Sequence, residues 1–290
     1  AIGVEILKEH VQISAADLFG NIVREERCAL LYRNDEEYCR QFAELIKSFI
    51  SQIDVCEENL LEILISVQGI VSQDGETLIT GKLLKNSGLS VNSFRKYLNL
   101  NCKFINDTIA SAFSELWAHP ETRDAAYIDL NRNLSGTIIV NSRVFQGDSF
   151  KGVQNCGMIS HMRLIPGGIP CYCGHRGCIQ GYCSIYSLES ASGMSIEAFM
   201  ELVHAKDEKS VALFDKYLSY LALGINNIRM IIDGEFIIGG YLDELMTDEE
   251  MDEAYFKAME ENNEARMRDI IHESARRNGY VSADEFSMAH

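Results

Sequence analysis

The chain has 290 residues, of which 47% are hydrophobic and 24% are charged, and it contains only 3 prolines. This composition excludes a disordered or collagen-like chain and provides enough apolar material for two separately folded lobes. Uninterrupted apolar runs stay below the roughly 18 residues that a membrane helix requires, so we expect no membrane partner. The 43 acidic and 26 basic residues give a net charge of −17, which disfavours direct binding to nucleic acid phosphates.

The first half of the sequence predicts three strands followed by alternating helices and strands. Short apolar segments flank a polar turn at 17–21, and apolar residues recur at helical spacing between 38 and 53. The predicted elements are strands at 2–7, 11–15 and 22–31, a helix capped by Asn34 or Asp35, strands at 61–67 and 103–105, and a helix at 108–117.

The second half predicts the same order of elements, with a Gly- and Cys-rich loop at 152–184 inserted into it. The predicted elements are strands at 126–130, 136–140 and 143–146, further helices of which the clearest is 210–231, a strand at 235–238, a helix at 248–262 and a last strand at 267–273. We therefore expect two α/β lobes, 1–118 and 119–290, with a small-molecule cleft between them.

The sharpest chemical signal is the segment HMRLIPGGIPCYCGHRGC, which places His161 ahead of Cys171, Cys173 and Cys178. Three thiolates and one imidazole complete a closed tetrahedral site, so the spacing predicts a structural Zn²⁺ rather than a catalytic one. Buried free thiols are the alternative. His175 is either a further donor or a loop histidine that faces solvent.

The nine cysteines also bear on the compartment. The chain is large and shows no signal peptide, so we expect a reduced, cytoplasmic protein whose remaining cysteines are small core residues. The sequence opens with AIGVEIL, without an initiator Met, and we expect it to be a piece of a longer polypeptide.

Two further positions follow predicted strands. Asn106 and Asp107 end a strand where a helix begins, so Asp107 either acts as a general base on a substrate hydroxyl or caps the helix. Gly239 and Gly240 form a strand-to-helix turn, which either approaches a nucleotide or is a plain turn.

The Cys-rich stretch resembles the signature of the ROK family (repressor, open reading frame, kinase), an ExGH motif followed by CxCGxxGCxE. Here the motif reads MISH at 158–161 and CYCGHRGCIQ at 171–180. The segments ADLFGNIV, VQGIV, FINDTIASAFSE and GEFIIGG are similar to family segments along nearly the whole chain. The resemblance implies two ribonuclease-H-like lobes of the hexokinase/actin-like fold, a zinc knuckle at 161–178, a homodimer, and a final helix that is truncated here.

The resemblance also implies roles for individual residues. Gly69, Asn106, Asp107 and His161 correspond to sugar-binding positions, and Asp107 to the catalytic base of the kinases. Gly239 and Gly240 correspond to a glycine pair near the nucleotide.

Departures from the family pattern distinguish its kinases from its repressors. The phosphate-binding DxGxT is replaced by a stretch that begins at Glu5, and the Gly-rich loop of the second lobe is replaced by NLSGT at 133–137. Bulky side chains there block the backbone N–H groups that cradle phosphates, so we expect neither ATP nor Mg²⁺ to bind. Met158 and Gln180 replace two sugar-binding glutamates, which removes two charged acceptors.

These features together predict the sugar-effector-binding and dimerisation region of a ROK-type transcriptional repressor, with DNA bound by a helix-turn-helix that is not in this chain. The alternative is an ATP-dependent sugar kinase that resembles glucokinase, with Asp107 as its base. A third hypothesis is a scaffold that has lost both ligands.

Overall fold

The computed structural model describes residues 1–53, 59–146, 157–232, 234–252 and 270–272. Contacts divide the chain into two compact units, each with its own sheet. The first comprises Ala1–Ser111 and Gln146, and the second comprises Ala112–Phe145 and the described residues from 157 onward. This boundary lies inside a helix, ahead of the predicted division after residue 118.

The first unit is built on a five-stranded mixed sheet with the strand order β3-β2-β1-β4-β8. Its elements are β1 (Ile2–Ile6), β2 (His10–Ala16), β3 (Ile22–Ala29), α1 (Glu36–Ser51), β4 (Ile63–Val67), β5 (Ile70–Val71), β6 (Thr77–Thr80), β7 (Leu89–Ser90), α2 (Asn92–Arg95), β8 (Cys102–Asn106) and the beginning of α3 (Asp107–Ala118). The three strands predicted at the start are confirmed, and β1 pairs antiparallel with β2 and parallel with β4.

Helix α1 begins where the sequence predicts, because the Asp35 carboxylate accepts a hydrogen bond from the Tyr38 N–H. Its apolar face packs on the sheet with Phe42, Ile46 and Phe49, each at most 1% exposed. Burial of this face in the same core as β1 and β4 fixes the helix against the sheet.

Residues 70–90 contain a three-stranded antiparallel sheet, β5-β6-β7, that the sequence analysis did not predict. Two of its strands are only two residues long, so alternation of apolar and polar residues gives no signal there. The register pairs Ile70 with Thr80 and Leu78 with Leu89.

The second unit is built on a four-stranded sheet with the strand order β10-β9-β11-β12. Its elements are the rest of α3, β9 (Ala125–Asp129), β10 (Ser135–Ile139), α4 (Gln180–Cys183), α5 (Ile185–Ser192), α6 (Ile196–His204), α7 (Glu208–Arg229), β11 (Glu235–Gly239), α8 (Tyr241–Leu245) and β12 (Ile270–His272). Helices α4 to α7 and strand β11 surround one core cluster that includes Ile128, Ile179, Leu221 and Ile238.

One predicted strand of this unit is wrong. Residues 143–146 make a single antiparallel bridge, from Val144 to Ile139, instead of a third strand. Asn141 and Ser142 both adopt positive φ, as in a two-residue hairpin turn, and Val140 N–H donates to Arg143 C=O across it. The last backbone bond of this pairing is Phe145 N–H to Ile138 C=O, so the paired segment is too short to form a strand.

The end of the chain is described only in part. Residues 248–252 are helical, as predicted, and the remainder of the predicted 248–262 helix lies outside the described residues. Strand β12 lies within the predicted strand at 267–273. Within the described ranges, no helix combines the length and the apolar character that crossing a bilayer requires.

Candidate functional site

The predicted metal ligands lie together in the second unit. The ligand atoms of His161, Cys171, Cys173 and Cys178 are all within 4.8 Å of one another. The Cys173 and Cys178 sulfurs are 3.7 Å apart, and the Cys171 sulfur is 3.7 Å from His161 Nδ1. A tetrahedral zinc with Zn–S of about 2.3 Å and Zn–N of about 2.0 Å separates two sulfurs by about 3.8 Å and a sulfur from a nitrogen by about 3.5 Å. The cluster could therefore hold a metal ion, and its donors fit zinc.

Backbone turns hold this knuckle, the segment 161–178, in shape. Cys171 N–H donates to His175 C=O at 2.9 Å, and Gly177 N–H donates to Ile169 C=O at 2.8 Å. Gly177 has φ of +78°, and a Cβ there would lie 1.7 Å from Ile165 O. A glycine at position 177 is thus required both by conformation and by space.

His175 lies beside the cluster and outside the four-ligand set. Its side chain is exposed, and Nδ1 is 3.5 Å from the Cys173 sulfur. Burial opposes ionisation of the Cys173 thiol, but hydrogen bonds from the His175 backbone and side chain, and from the neighbouring cysteines, lower its pKa to about 7. A thiol that ionises near neutral pH is a ready metal ligand.

Gly69, Asn106 and Asp107 lie together in the first unit. Asn106 Nδ2 donates to Gly69 C=O at 2.9 Å and to Asp107 Oδ1 at 3.0 Å. Asn106 Oδ1 accepts from Ile109 N–H at 3.1 Å, and Asp107 Oδ1 accepts from Thr108 N–H at 2.9 Å. Asn106 therefore caps α3 and orients the Asp107 carboxylate.

The Asp107 carboxyl group is held in a setting that favours its protonated form. Burial raises its pKa to about 6, and the nearby Glu5 carboxylate adds to this shift, while the Thr108 N–H opposes it. Burial also raises the pKa of Glu5, which lies on β1 in register with Ser66 of β4. A half-buried carboxylate with a pKa near 6 can accept a proton near neutral pH, and it can accept a hydrogen bond from a hydroxyl group.

The β9–β10 connection, residues 130–134, is tied to the end of β9 and to the turn that follows β11. The Asp129 carboxylate accepts hydrogen bonds from Asn131 Nδ2 at 2.9 Å and from Ser135 Oγ at 3.1 Å. It lies against Gly240, where a Cβ would be 2.4 Å from Asp129 Oδ1. Leu130 N–H donates to Gly239 C=O at 2.7 Å. The glycine pair therefore serves as a turn that packs on the end of β9.

Neither Asp129 nor its contact with Gly240 was predicted from the sequence. An acid at the carboxyl end of a strand was the signal that identified Asp107, and the same reasoning applies to Asp129. Of the remaining cysteines, Cys39, Cys102 and Cys183 are buried and Cys28 is half-buried, as core residues should be, while Cys56 and Cys156 lie outside the described residues.

Comparison with known proteins finds sequence relatives over most of the chain. The sequence model of the ROK family matches residues 1–280. The xylose repressor of Bacillus subtilis is 23% identical over 245 residues, which cover 82% of this chain and 63% of that protein. The N-acetylglucosamine repressor of Escherichia coli O6:H1 is 26% identical over 189 residues, which cover 62% of this chain and 44% of that protein. The chain thus spans less than two thirds of the length of either repressor.

Among solved structures, a ROK family glucokinase from Streptomyces griseus, in complex with glucose and AMPPNP, superposes with a TM-score of 0.78. It is 19% identical, and the match covers 99% of this chain and 98% of that one. The likeness confirms the predicted hexokinase/actin-like α/β fold.

Proposed function

Because the chain belongs to the ROK family, we propose that it is the sugar-effector-binding region of a cytoplasmic ROK-type transcriptional regulator that has lost phosphoryl transfer. The observation that carries this proposal is the Asp129 carboxylate, which lies against Gly240 at the end of β9. In a ROK kinase this part of the second lobe faces the nucleotide.

The Gly240 turn is already occupied from the protein side. The Asp129 carboxylate lies against Gly240 and accepts hydrogen bonds from Asn131 Nδ2 and Ser135 Oγ, which leaves little space for a phosphate at this turn. The Leu130 N–H is already bonded to Gly239 C=O, so it cannot donate to a phosphate. Phosphoryl transfer relies on such donors and on bound cations.

The first unit retains a group suited to a sugar. Asp107 Oδ1 is held by Asn106 and Thr108, and a carboxylate is a strong acceptor for sugar hydroxyl groups. Gly69 and Asn106 support this carboxylate, and we propose that they shape the sugar site. His161 would contribute through the zinc knuckle, whose closed ligand set gives the metal a structural role.

The partners follow from the same assignment. We expect a homodimer that binds a small sugar, with DNA contacted by a part of the regulator outside this acidic chain. Sugar binding would change the DNA affinity only through its different affinity for two conformations of the regulator.

The alternative, an ATP-dependent sugar kinase, is favoured by one observation. Asp107 has a pKa near 6, which suits a general base acting near neutral pH. The two functions differ in whether the second unit binds a nucleotide.

A coupled assay of ADP release tests the proposal. The wild-type chain and Asp107→Asn are mixed with ATP, Mg²⁺ and, in turn, D-glucose, D-xylose or N-acetyl-D-glucosamine. We expect the same sugar-independent background from both proteins. Sugar-dependent turnover that disappears in Asp107→Asn would show a kinase and contradict the proposal.

A further inference from the structure

The zinc knuckle contains a stretch that buries little of its surface. Residues 166, 167, 169 and 170 are exposed, and Ile169 is 43% exposed although its side chain is apolar. This stretch leads directly into the ligand Cys171. Because apolar burial contributes little here, the position of the stretch depends on its hydrogen bonds.

The hydroxyl group of Tyr182 supplies one of these hydrogen bonds from outside the knuckle. Tyr182 lies on α4, and its hydroxyl oxygen accepts from Ile169 N–H at 2.9 Å. Ile169 C=O accepts from Gly177 N–H at 2.8 Å. Both polar backbone groups of Ile169 are therefore bonded, one to α4 and the other to the opposite side of the knuckle.

The knuckle leaves space for this hydroxyl group. A Cβ on Gly168 would lie 2.0 Å from the Tyr182 hydroxyl oxygen, so a side chain at residue 168 would displace the hydroxyl group. A Cβ on Gly181 of α4 would lie 3.0 Å from Ile169 Cδ1. The side chain and the backbone of Ile169 thus both meet α4 in close contact.

Tyr182 is itself held by the core of the second unit. Its ring centroid lies 4.7 Å from that of Tyr220 on α7, and both rings pack against the buried core cluster. A ring that is already ordered by packing loses little further conformational entropy when its hydroxyl group binds a neighbour. Tyr182 can therefore fix an exposed loop to the core at little entropic cost.

We propose that Tyr182 is a positioning residue of the metal site, whose hydroxyl group fixes Ile169 and, through it, the geometry of the zinc ligands. Cys171 follows Ile169 by two positions, and Cys178 directly follows Gly177, the residue that donates to Ile169 C=O. This inference goes beyond the proposed function, because it does not depend on whether a sugar binds. Without the hydroxyl group, water can replace the acceptor at the exposed Ile169 N–H. The chain then loses a restraint on two ligands and little of its overall stability.

The rate of zinc release tests this role. Tyr182→Phe removes the hydroxyl group and keeps the ring. Zinc-loaded wild type and Tyr182→Phe, each as the whole chain, are mixed with excess EDTA, and the zinc that remains bound is measured over time. We expect release to be about tenfold faster from Tyr182→Phe, the lower end of the effect of removing groups that orient metal ligands.

Cobalt(II) in place of zinc gives a second readout. Its visible absorption bands depend on the geometry of the ligands, so they report the arrangement of the site directly. We expect these bands to shift or to lose intensity in Tyr182→Phe relative to wild type. A change in overall stability alone would leave the bands of the folded protein where they are.

Tyr217→Phe is the matched control, because it also removes one phenolic hydrogen bond from the second unit. The Tyr217 hydroxyl donates to Cys183 C=O at 3.0 Å, at the end of α4 and outside the knuckle. This bond is buried, so its loss costs more stability than the loss of an exposed one. We expect Tyr217→Phe to unfold at a lower urea concentration than Tyr182→Phe and to release zinc at the wild-type rate.

Three results would overturn the inference. A wild-type release rate with a wild-type cobalt spectrum in Tyr182→Phe would show that the hydroxyl group does not position the ligands. Equally accelerated release from Tyr182→Phe and Tyr217→Phe would show that release follows stability alone. A wild-type chain that takes up neither zinc nor cobalt would remove the metal site itself. None of these results bears on sugar binding, so the proposed function is tested separately.

Discussion

The Asp129 carboxylate and the backbone of Gly240 are in direct contact: a Cβ on Gly240 would lie 2.4 Å from Asp129 Oδ1. The contact joins the carboxyl end of β9 to the turn that follows β11, two strands that pair in parallel. An acidic side chain at the end of one strand therefore packs on the backbone of the turn after its neighbour.

Replacing Gly240 by alanine should destabilise the second unit strongly. Gly240 has φ of +99° and ψ of 176°, a region essentially restricted to glycine, and an added Cβ would also approach the Leu130 nitrogen to 2.7 Å. We expect Gly240→Ala to lower the free energy of unfolding by about 3 kcal/mol, measured by urea denaturation.

Gly193→Ala is the control for conformational strain alone, because Gly193 has φ of +73° with nothing within 4 Å of the added Cβ. Gly193→Ala should lower the free energy of unfolding by about 1 kcal/mol. An equal decrease in the free energy of unfolding of both variants would show that Gly240 is not tightly packed against Asp129.

If the four residues of the zinc knuckle are metal ligands, removal of one of them should lower the zinc content of the chain. We expect about one zinc per chain in the wild type, because the Cys3His donor set closes a tetrahedral site. Cys178→Ala should retain well under one, as measured by atomic emission, and should unfold at lower temperature.

Cys183→Ala is the matched control for that experiment. Cys183 is buried five positions further along the chain and belongs to no metal-ligand group among the described residues. Its replacement should lower stability without lowering zinc. Loss of zinc in both variants would contradict the assignment of ligands.

The raised pKa of Asp107 predicts a pH-dependent stability. The folded chain holds this proton up to a pH of about 6, whereas an unfolded aspartate releases it near 3.9. The folded state therefore binds the proton more tightly, and Asp107 lowers the free energy of unfolding as the pH rises from about 4 to about 6. Asp107→Asn removes this cost and should be more stable than wild type by up to about 3 kcal/mol at pH 7, with no difference at pH 4.

Asp17→Asn is the control of opposite sign. The Asn21 side chain and backbone N–H groups hold the pKa of Asp17 below its usual range, so Asp17 stabilises the folded chain above its unfolded pKa and ceases to do so in acid. Urea unfolding from pH 2.5 to pH 8 measures both, because the Asp17 contribution is lost below about pH 4. A constant difference between Asp107→Asn and wild type across this range would contradict the raised pKa.

The parts of this structure that could be predicted from sequence are those specified by residues close together in the chain. Asp35 and the helical spacing after it defined α1, and the four metal ligands lie within 18 consecutive residues. The packing of Gly240 on Asp129 and the bond between Gln180 and Asn133 join residues far apart in sequence. Such contacts are set by the tertiary fold, which local spacing does not encode.

Asn106 and Asp107 show that prediction from sequence can fail to assign roles even to two adjacent residues. The sequence placed an acid at a helix start and left open whether Asp107 is a cap or a base. The structure assigns the cap to Asn106, whose Oδ1 accepts from Ile109 N–H. Adjacent polar residues at a helix N-terminus compete for the same N–H groups, and only the backbone path decides between them.

We propose that this chain binds a sugar and does not bind a nucleotide. The decisive experiment is calorimetric titration of the wild-type chain with AMPPNP and Mg²⁺, and separately with D-glucose, D-xylose and N-acetyl-D-glucosamine. We expect saturable heat with at least one sugar and none with the nucleotide. Saturable binding of AMPPNP at one molecule per chain would contradict it.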